Sequence, residues 1–192
     1  YHLAVAQTLN NIAGLAHING HKDEAESMYR ECLEVKQRVY GSDHPDYATA
    51  LNNLGLLLKA KHSYKEAMTM YEKALDIQTR TFGKEHPDVA STLNNIAALL
   101  FAEGEVMKAQ QLYRESIDAK RACLGPDHPS VAAALNNLAG LLYHTKQYEE
   151  AREFYEDALQ IRTKAFGGDH PLVAETLNNI ALMLATQGKL ED

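Results

Sequence analysis

Apolar and small residues return along this chain at helical rather than strand spacing. In residues 45–83 they stand at Ala48, Leu51, Leu54, Gly55 and Leu58, the three- and four-residue steps that gather side chains on one face of an α-helix. A polar stretch, Lys61, His62 and Ser63, interrupts the pattern before it resumes at Ala67, Tyr71, Ala74, Leu75 and Ile77. Pro45 suits a first helical turn, where its missing N–H leaves nothing unpaired, with His44 or Asp43 before it as cap. Gly83, just past Phe82, predicts a left-handed stop. The pattern predicts a helix A, a tight turn and a longer helix B, with no strand.

The same pair recurs along the whole sequence. Leu-Asn-Asn begins at Leu9, Leu51, Leu93, Leu135 and Leu177, successive starts 42 residues apart. His-Pro keeps that spacing at His44, His86, His128 and His170, with His2 in register, and so do Gly41, Gly83, Gly125 and Gly167. A period held without an insertion is the mark of a solenoid. The repeats run at about 3–44, 45–86, 87–128 and 129–170, with a partial one at 171–192. That is four helix-turn-helix pairs plus one unpaired helix A. The chain starts without Met and stops, over Gly188 to Asp192, in the turn that would open a fifth helix B. Because solenoids need covered ends, this reads as a piece of a longer chain.

The spacing Leu51-x2-Leu54-Gly55-x2-Leu58-x8-Ala67-x3-Tyr71-x2-Ala74 resembles the tetratricopeptide repeat. It recurs with Ala25, Tyr29 and Cys32, with Ala109, Tyr113 and Ser116, and with Ala151, Tyr155 and Ala158. The resemblance implies an all-α, right-handed superhelical solenoid in which one face of each helix A lines a concave groove. The period exceeds the usual ~34 residues. With its Leu-Asn-Asn and Gly-x-Asp-His-Pro pieces, the longer form is similar to the kinesin light chain subgroup. That likeness implies a cytoplasmic adaptor, cytoskeleton- or cilium-associated, whose groove takes extended peptides carrying an aromatic residue flanked by acids.

At about 100° per residue, Asn53 lies roughly 200° from Leu51, directly away from the partner helix. Its equivalents are Asn11, Asn95, Asn137 and Asn179, and their face-mates are mostly small: Gly14, Ala98, Ala102, Ala133, Gly140. Small residues let a guest backbone approach, and an amide offers it both donors and acceptors. The expectation is therefore a ladder of outward asparagines gripping a guest main chain. His17, Lys59, Phe101 and Tyr143, with His144 beside them, would set selectivity at the edge. The flanking Asn10, Asn52, Asn94, Asn136 and Asn178 point toward the next repeat and read as structural. Ten of the eleven asparagines sit in these pairs, each at a helix-propensity cost of up to ~0.7 kcal/mol against alanine. No Lys or Arg stands on the groove face of a helix A, which excludes the carboxylate clamp used for chaperone tails.

Composition narrows the rest. A formal charge of −7 and a pI near 5.7 argue against nucleic-acid or anionic-membrane surfaces. The longest apolar run, Ile96 to Ala102, is far short of the ~18–20 residues that span a bilayer. Cys32 and Cys123 read as packed thiols in a reducing compartment. One His-Pro histidine per repeat cannot converge on a metal, so capping is expected. Neither a catalytic motif nor a phosphate or dinucleotide loop is present, and no enzyme activity, metal or cofactor is expected. Two further readings stay open: a structural spacer or self-assembly array, and a regulatory arm of a larger protein.

Overall fold

A computed structural model of the chain describes residues 3–188. The expectations placed on His2 and on Lys189 to Asp192 lie outside the described residues. Among the described residues there are nine α-helices and no strand: α1 (Leu3–Ile18), α2 (Lys22–Tyr40), α3 (Pro45–Ala60), α4 (Tyr64–Phe82), α5 (Pro87–Ala102), α6 (Val106–Leu124), α7 (Pro129–His144), α8 (Tyr148–Phe166) and α9 (Pro171–Thr186). Helices A are 16 residues long and helices B 19, in the predicted order and with the predicted starts at proline. The chain divides into two compact units, Tyr1–Leu99 and Leu100–Asp192.

In the first unit α1 packs on α2, α3 on α4, and α2 on α3; in the second, α7 packs on α8, α6 on α7, and α8 on α9. Leucine supplies the volume and alanine the closeness. Leu51, Leu54, Leu57 and Leu58 of α3 are buried against Ala67, Tyr71 and Ala74 of α4, all three fully inaccessible. The second unit repeats this with Leu135, Leu138, Leu141 and Leu142 against Ala151 and Ala158. Each such leucine withdraws about 1.5–3 kcal/mol worth of apolar surface from water. Leu177, at the same position in α9, remains 49% exposed, because no helix follows α9 among the described residues.

The His-Pro element is a cap, as expected, with more detail than the sequence shows. Nδ1 of His44, His86, His128 and His170 accepts the backbone N–H two residues on, at 3.1–3.2 Å, satisfying one orphan donor in each of α3, α5, α7 and α9. Three of these rings also stack on the aromatic residue closing the preceding helix B: Tyr40 on His44 at 4.2 Å, Phe82 on His86 at 4.0 Å, and Phe166 on His170 at 4.4 Å. The stop glycines differ from the left-handed helical form expected. Gly83 sits at φ 84°, ψ 168°, a region essentially closed to residues with a Cβ. Its N–H still bonds Thr79 O at 3.0 Å, and the extended ψ sends the chain straight out into the next loop.

Lys36 and Arg162, cations near the ends of helices B, are buried. Lys36 Nζ donates to Asp46 O at 3.0 Å. Arg162 Nη1 donates to Leu172 O at 2.8 Å and to Thr176 Oγ1 at 2.7 Å. Gln78, at the same repeat position, accepts from Thr92 Oγ1 at 2.7 Å. These side chains clip the end of a helix B to the start of the following helix A, where a first-turn carbonyl such as Asp46 O or Leu172 O has a second lone pair to accept with. Cys32 is a packed thiol, donating to Ala6 O at 3.2 Å, and burial pushes it up from the ordinary thiol range, whereas Cys123, expected to pack likewise, is exposed. On the surface of the first unit Lys61 lies 2.6 Å from Asp23 and 2.5 Å from Glu26. Together with Arg30 it holds the Glu26 carboxyl below the usual carboxylate range.

The A–B turns contain one avoidable strain. Gly20 and Gly104 occupy the turn position at φ 85°, whereas His62 and Lys146 hold it at 62° and 63°. A left-handed conformation costs a residue with a Cβ about 1–2 kcal/mol, partly offset by the freer unfolded chain that glycine brings. Lys146→Gly is therefore expected to raise stability by about 0.5–1 kcal/mol, read as a higher thermal midpoint. An unchanged or lower midpoint would show that this turn is unstrained.

Candidate functional site

The candidate face is the side of each helix A that points away from its helix B. In the first unit the paired asparagines connect one repeat to the next. Asn53 Nδ2 donates to Asn10 Oδ1 at 2.8 Å, and Asn95 Nδ2 to Asn52 Oδ1 at 3.0 Å. Asn11 accepts from Gln7 Nε2, one turn earlier, at 3.1 Å. The sequence suggested a division of labour, flank residues structural and outward residues free for a guest. The structure joins them, since the outward amides of Asn53 and Asn95 each give a proton to the flank amide of the preceding repeat. With Nδ2 engaged, Oδ1 is the side-chain acceptor that Asn53 and Asn95 retain.

At the edge of this unit His17 and Lys59 are both half-buried. Among the described residues no carboxylate lies within ion-pair distance of Lys59, and burial pulls its ammonium below the usual lysine range. Lys61, two residues on, is taken up by Asp23 and Glu26.

The second unit holds a cleft of about 310 Å³. Its rim is aromatic: Phe101 from the end of α5, and Tyr143 and His144 from the end of α7. The Phe101 and His144 ring centroids are 5.6 Å apart, those of Tyr143 and His144 5.4 Å. Tyr143 Oη is tied to Thr186 Oγ1 at 2.9 Å, which fixes one wall. Gly140 and Leu182 complete the apolar lining. Asn136, Asn137 and Asn179 supply amides; Asn179 Nδ2 donates to Asn136 Oδ1 at 3.2 Å, and Asn136 Nδ2 to Glu175 Oε1 at 3.3 Å.

Tyr113 and Tyr155 form the floor, each 3% exposed. The sequence assigned these tyrosines to the repeat core. Their rings are indeed core, but their hydroxyls reach the cleft because the residues above are small, Gly140 in particular: a Cβ there would stand 3.6 Å from Tyr155 Oη. Burial, with smaller contributions from Tyr143 and Glu175, pushes the Tyr155 phenol up to about 12. The variation Gly14, Leu56, Ala98, Gly140 at this position was the available signal, since it decides where a tyrosine hydroxyl can surface.

Of the expected contact residues, Phe101, Asn137, Tyr143, His144 and Asn179 thus meet at one cleft, while Asn11, His17, Asn53, Lys59 and Asn95 belong to the first unit. Among the described residues no group of three or more His, Cys, Asp or Glu could hold a metal ion, and no helix is long and apolar enough to cross a membrane.

A family model for the tetratricopeptide repeat matches residues 4–80, 57–122, 88–161 and 130–192. Among solved structures the chain is similar to BtubC (BKLC) from P. vanneervenii, with 26% identity, a TM-score of 0.82, and coverage of 98% of this chain and 75% of that one. It is also similar to a putative kinesin light chain with nearly identical TPR-like repeats from Podosopora anserina, at 23% identity and a TM-score of 0.77, covering 98% of this chain and 89% of that one. A search of curated proteins finds no match.

Proposed function

The chain belongs to the tetratricopeptide repeat family, a protein-interaction scaffold, and on that premise we propose that its helix A faces receive an extended segment of a partner protein, in the manner of a kinesin light chain-like adaptor. The observation carrying this reading is the cleft of the second unit, whose aromatic rim and amide lining suit a side chain attached to a hydrogen-bonding backbone. Outward Oδ1 atoms at about one helix-pair step meet the N–H groups of a guest strand, whose unpaired backbone needs partners. The first unit adds His17 and the unpaired Lys59 as edge groups for an acidic residue. Such a module acts in the cytoplasm, on cytoskeletal or ciliary cargo, with no cofactor and no chemistry of its own.

A peptide-display selection on the protein beside its Gly14→Gln/Gly140→Gln variant tests this. Both glycines are mid-helix, a Cβ at either makes only ordinary 3.6 Å contacts, and glutamine favours helix, so the variant fills the face without unfolding it. A motif enriched on the parent is expected to disappear on the variant. If the same peptides enrich on both, the helix A face is not the binding element and the spacer reading replaces it.

A further inference from the structure

The charge of the second-unit cleft runs opposite to what an acidic guest needs. No Lys or Arg lines it. The Glu175 carboxylate accepts from the cleft residue Asn136 at 3.3 Å and lies 3.7 Å from the buried Arg162 guanidinium. The unit as a whole, 100–192, carries 14 acidic residues against 9 basic ones. The lining is also rich in acceptors. Asn179, a lining residue, directs its Nδ2 to Asn136, so that Oδ1 is the hydrogen-bonding atom it retains. The hydroxyls of Tyr113 and Tyr155, on side chains more than nine-tenths buried, reach the cleft floor and make no hydrogen bond to another described residue. The rim supplies the π faces of Phe101, Tyr143 and His144.

We propose that this cleft is a receptor for an arginine side chain of the partner protein. The idea rests on reading the helix A face as a peptide receptor and names what that receptor selects here. A guanidinium is planar, stacks on aromatic faces, and carries five N–H donors with no acceptor, which matches dispersed hydroxyl and carbonyl acceptors under an aromatic rim. A lysine ammonium concentrates its donors at one strongly hydrated point and stacks less well. A carboxylate would find no Lys or Arg in the lining and would meet the Asn179 carbonyl.

The test is a nuclear magnetic resonance titration of the intact protein with N-acetyl-arginine N-methylamide, its uncharged citrulline isostere, and N-acetyl-aspartate N-methylamide. The expected result is saturable movement of the Asn136, Asn137 and Asn179 side-chain amides and of the Phe101 and Tyr143 rings with the arginine probe. Binding of the citrulline probe is expected to be roughly tenfold weaker, since charge-assisted hydrogen bonds are about twice as strong as neutral ones. The aspartate probe should leave these signals in place. Tyr155→Phe, which removes one acceptor and keeps the ring, should weaken the arginine probe while the rest of the spectrum stays unchanged. Equal response to arginine and citrulline, saturation by aspartate, or arginine shifts scattered over surface carboxylates would each overturn the proposal. If the arginine probe fails while displayed peptides still bind and are lost on Gly140→Gln, the receptor reading stands and only its arginine selectivity is wrong.

Discussion

Gly55→Ala is expected to destabilise the protein by about 1–2 kcal/mol, although alanine is the better helix former by roughly 1 kcal/mol. A Cβ built on Gly55 falls 2.7 Å from Tyr71 Cε1 and 2.9 Å from Cδ1, inside any tolerated contact. The ring lies close against the Gly55 backbone, fully buried, and its hydroxyl has no partner among the described residues. Overpacking of this kind costs about 1–3 kcal/mol or more, which outweighs the propensity gain.

The sequence offers a built-in rescue. In α1 and α7 the corresponding dipeptides are Ala13-Gly14 and Ala139-Gly140, and there the tyrosine meets the second residue with its hydroxyl, 3.6 Å from a would-be Cβ. Adding Leu56→Gly to Gly55→Ala recreates that seat. The double variant should therefore be more stable than the sum of its parts, with a coupling of about 1 kcal/mol in denaturant unfolding. A single Gly55→Ala protein at or above parental stability would show that the Tyr71 ring moves aside without cost.

The second large effect concerns the asparagine ladder. Replacing Asn53, Asn95 and Asn179 by alanine removes three hydrogen bonds between repeats and strips the donor from the flank carbonyls of Asn10, Asn52 and Asn136. At about 1 kcal/mol net for each bond, against ~0.7 kcal/mol of helix propensity regained per site, the balance is a loss of about 1–2 kcal/mol. The penalty for leaving a partly buried carbonyl unpaired tips it. A lowered urea midpoint is the expected reading. An unchanged midpoint would mean that water replaces the missing donors and that these residues serve a guest alone. Since the ladder both holds repeats together and offers Oδ1 to solvent, weakened peptide binding in this triple variant would not by itself locate the guest. The Gly14 and Gly140 substitutions avoid that ambiguity.

Helix content, order and boundaries were legible in the sequence because they depend on residues within a few positions of one another: Pro45 at a first turn, His44 capping two residues ahead, the Leu51, Leu54 and Leu58 stripe facing Ala67 and Tyr71. The 42-residue period extended one repeat's logic to the others without further information. What the sequence could not assign were interactions between residues about 40 apart, which depend on how neighbouring repeats are offset. Angular placement put Asn53 away from its own helix B, yet said nothing of its distance to Asn10. The burial of Lys36 and Arg162 was out of reach of a helical wheel, which contains no following helix to bury them. The cleft needed both the stacking of α7 beside α9 and the small Gly140 that lets Tyr155 surface. Local spacing thus determined the elements and their order. Tertiary packing alone decided which polar atoms were used up in joining repeats and which were left to meet a partner, because a hydrogen bond is fixed by atomic positions that no single helix specifies.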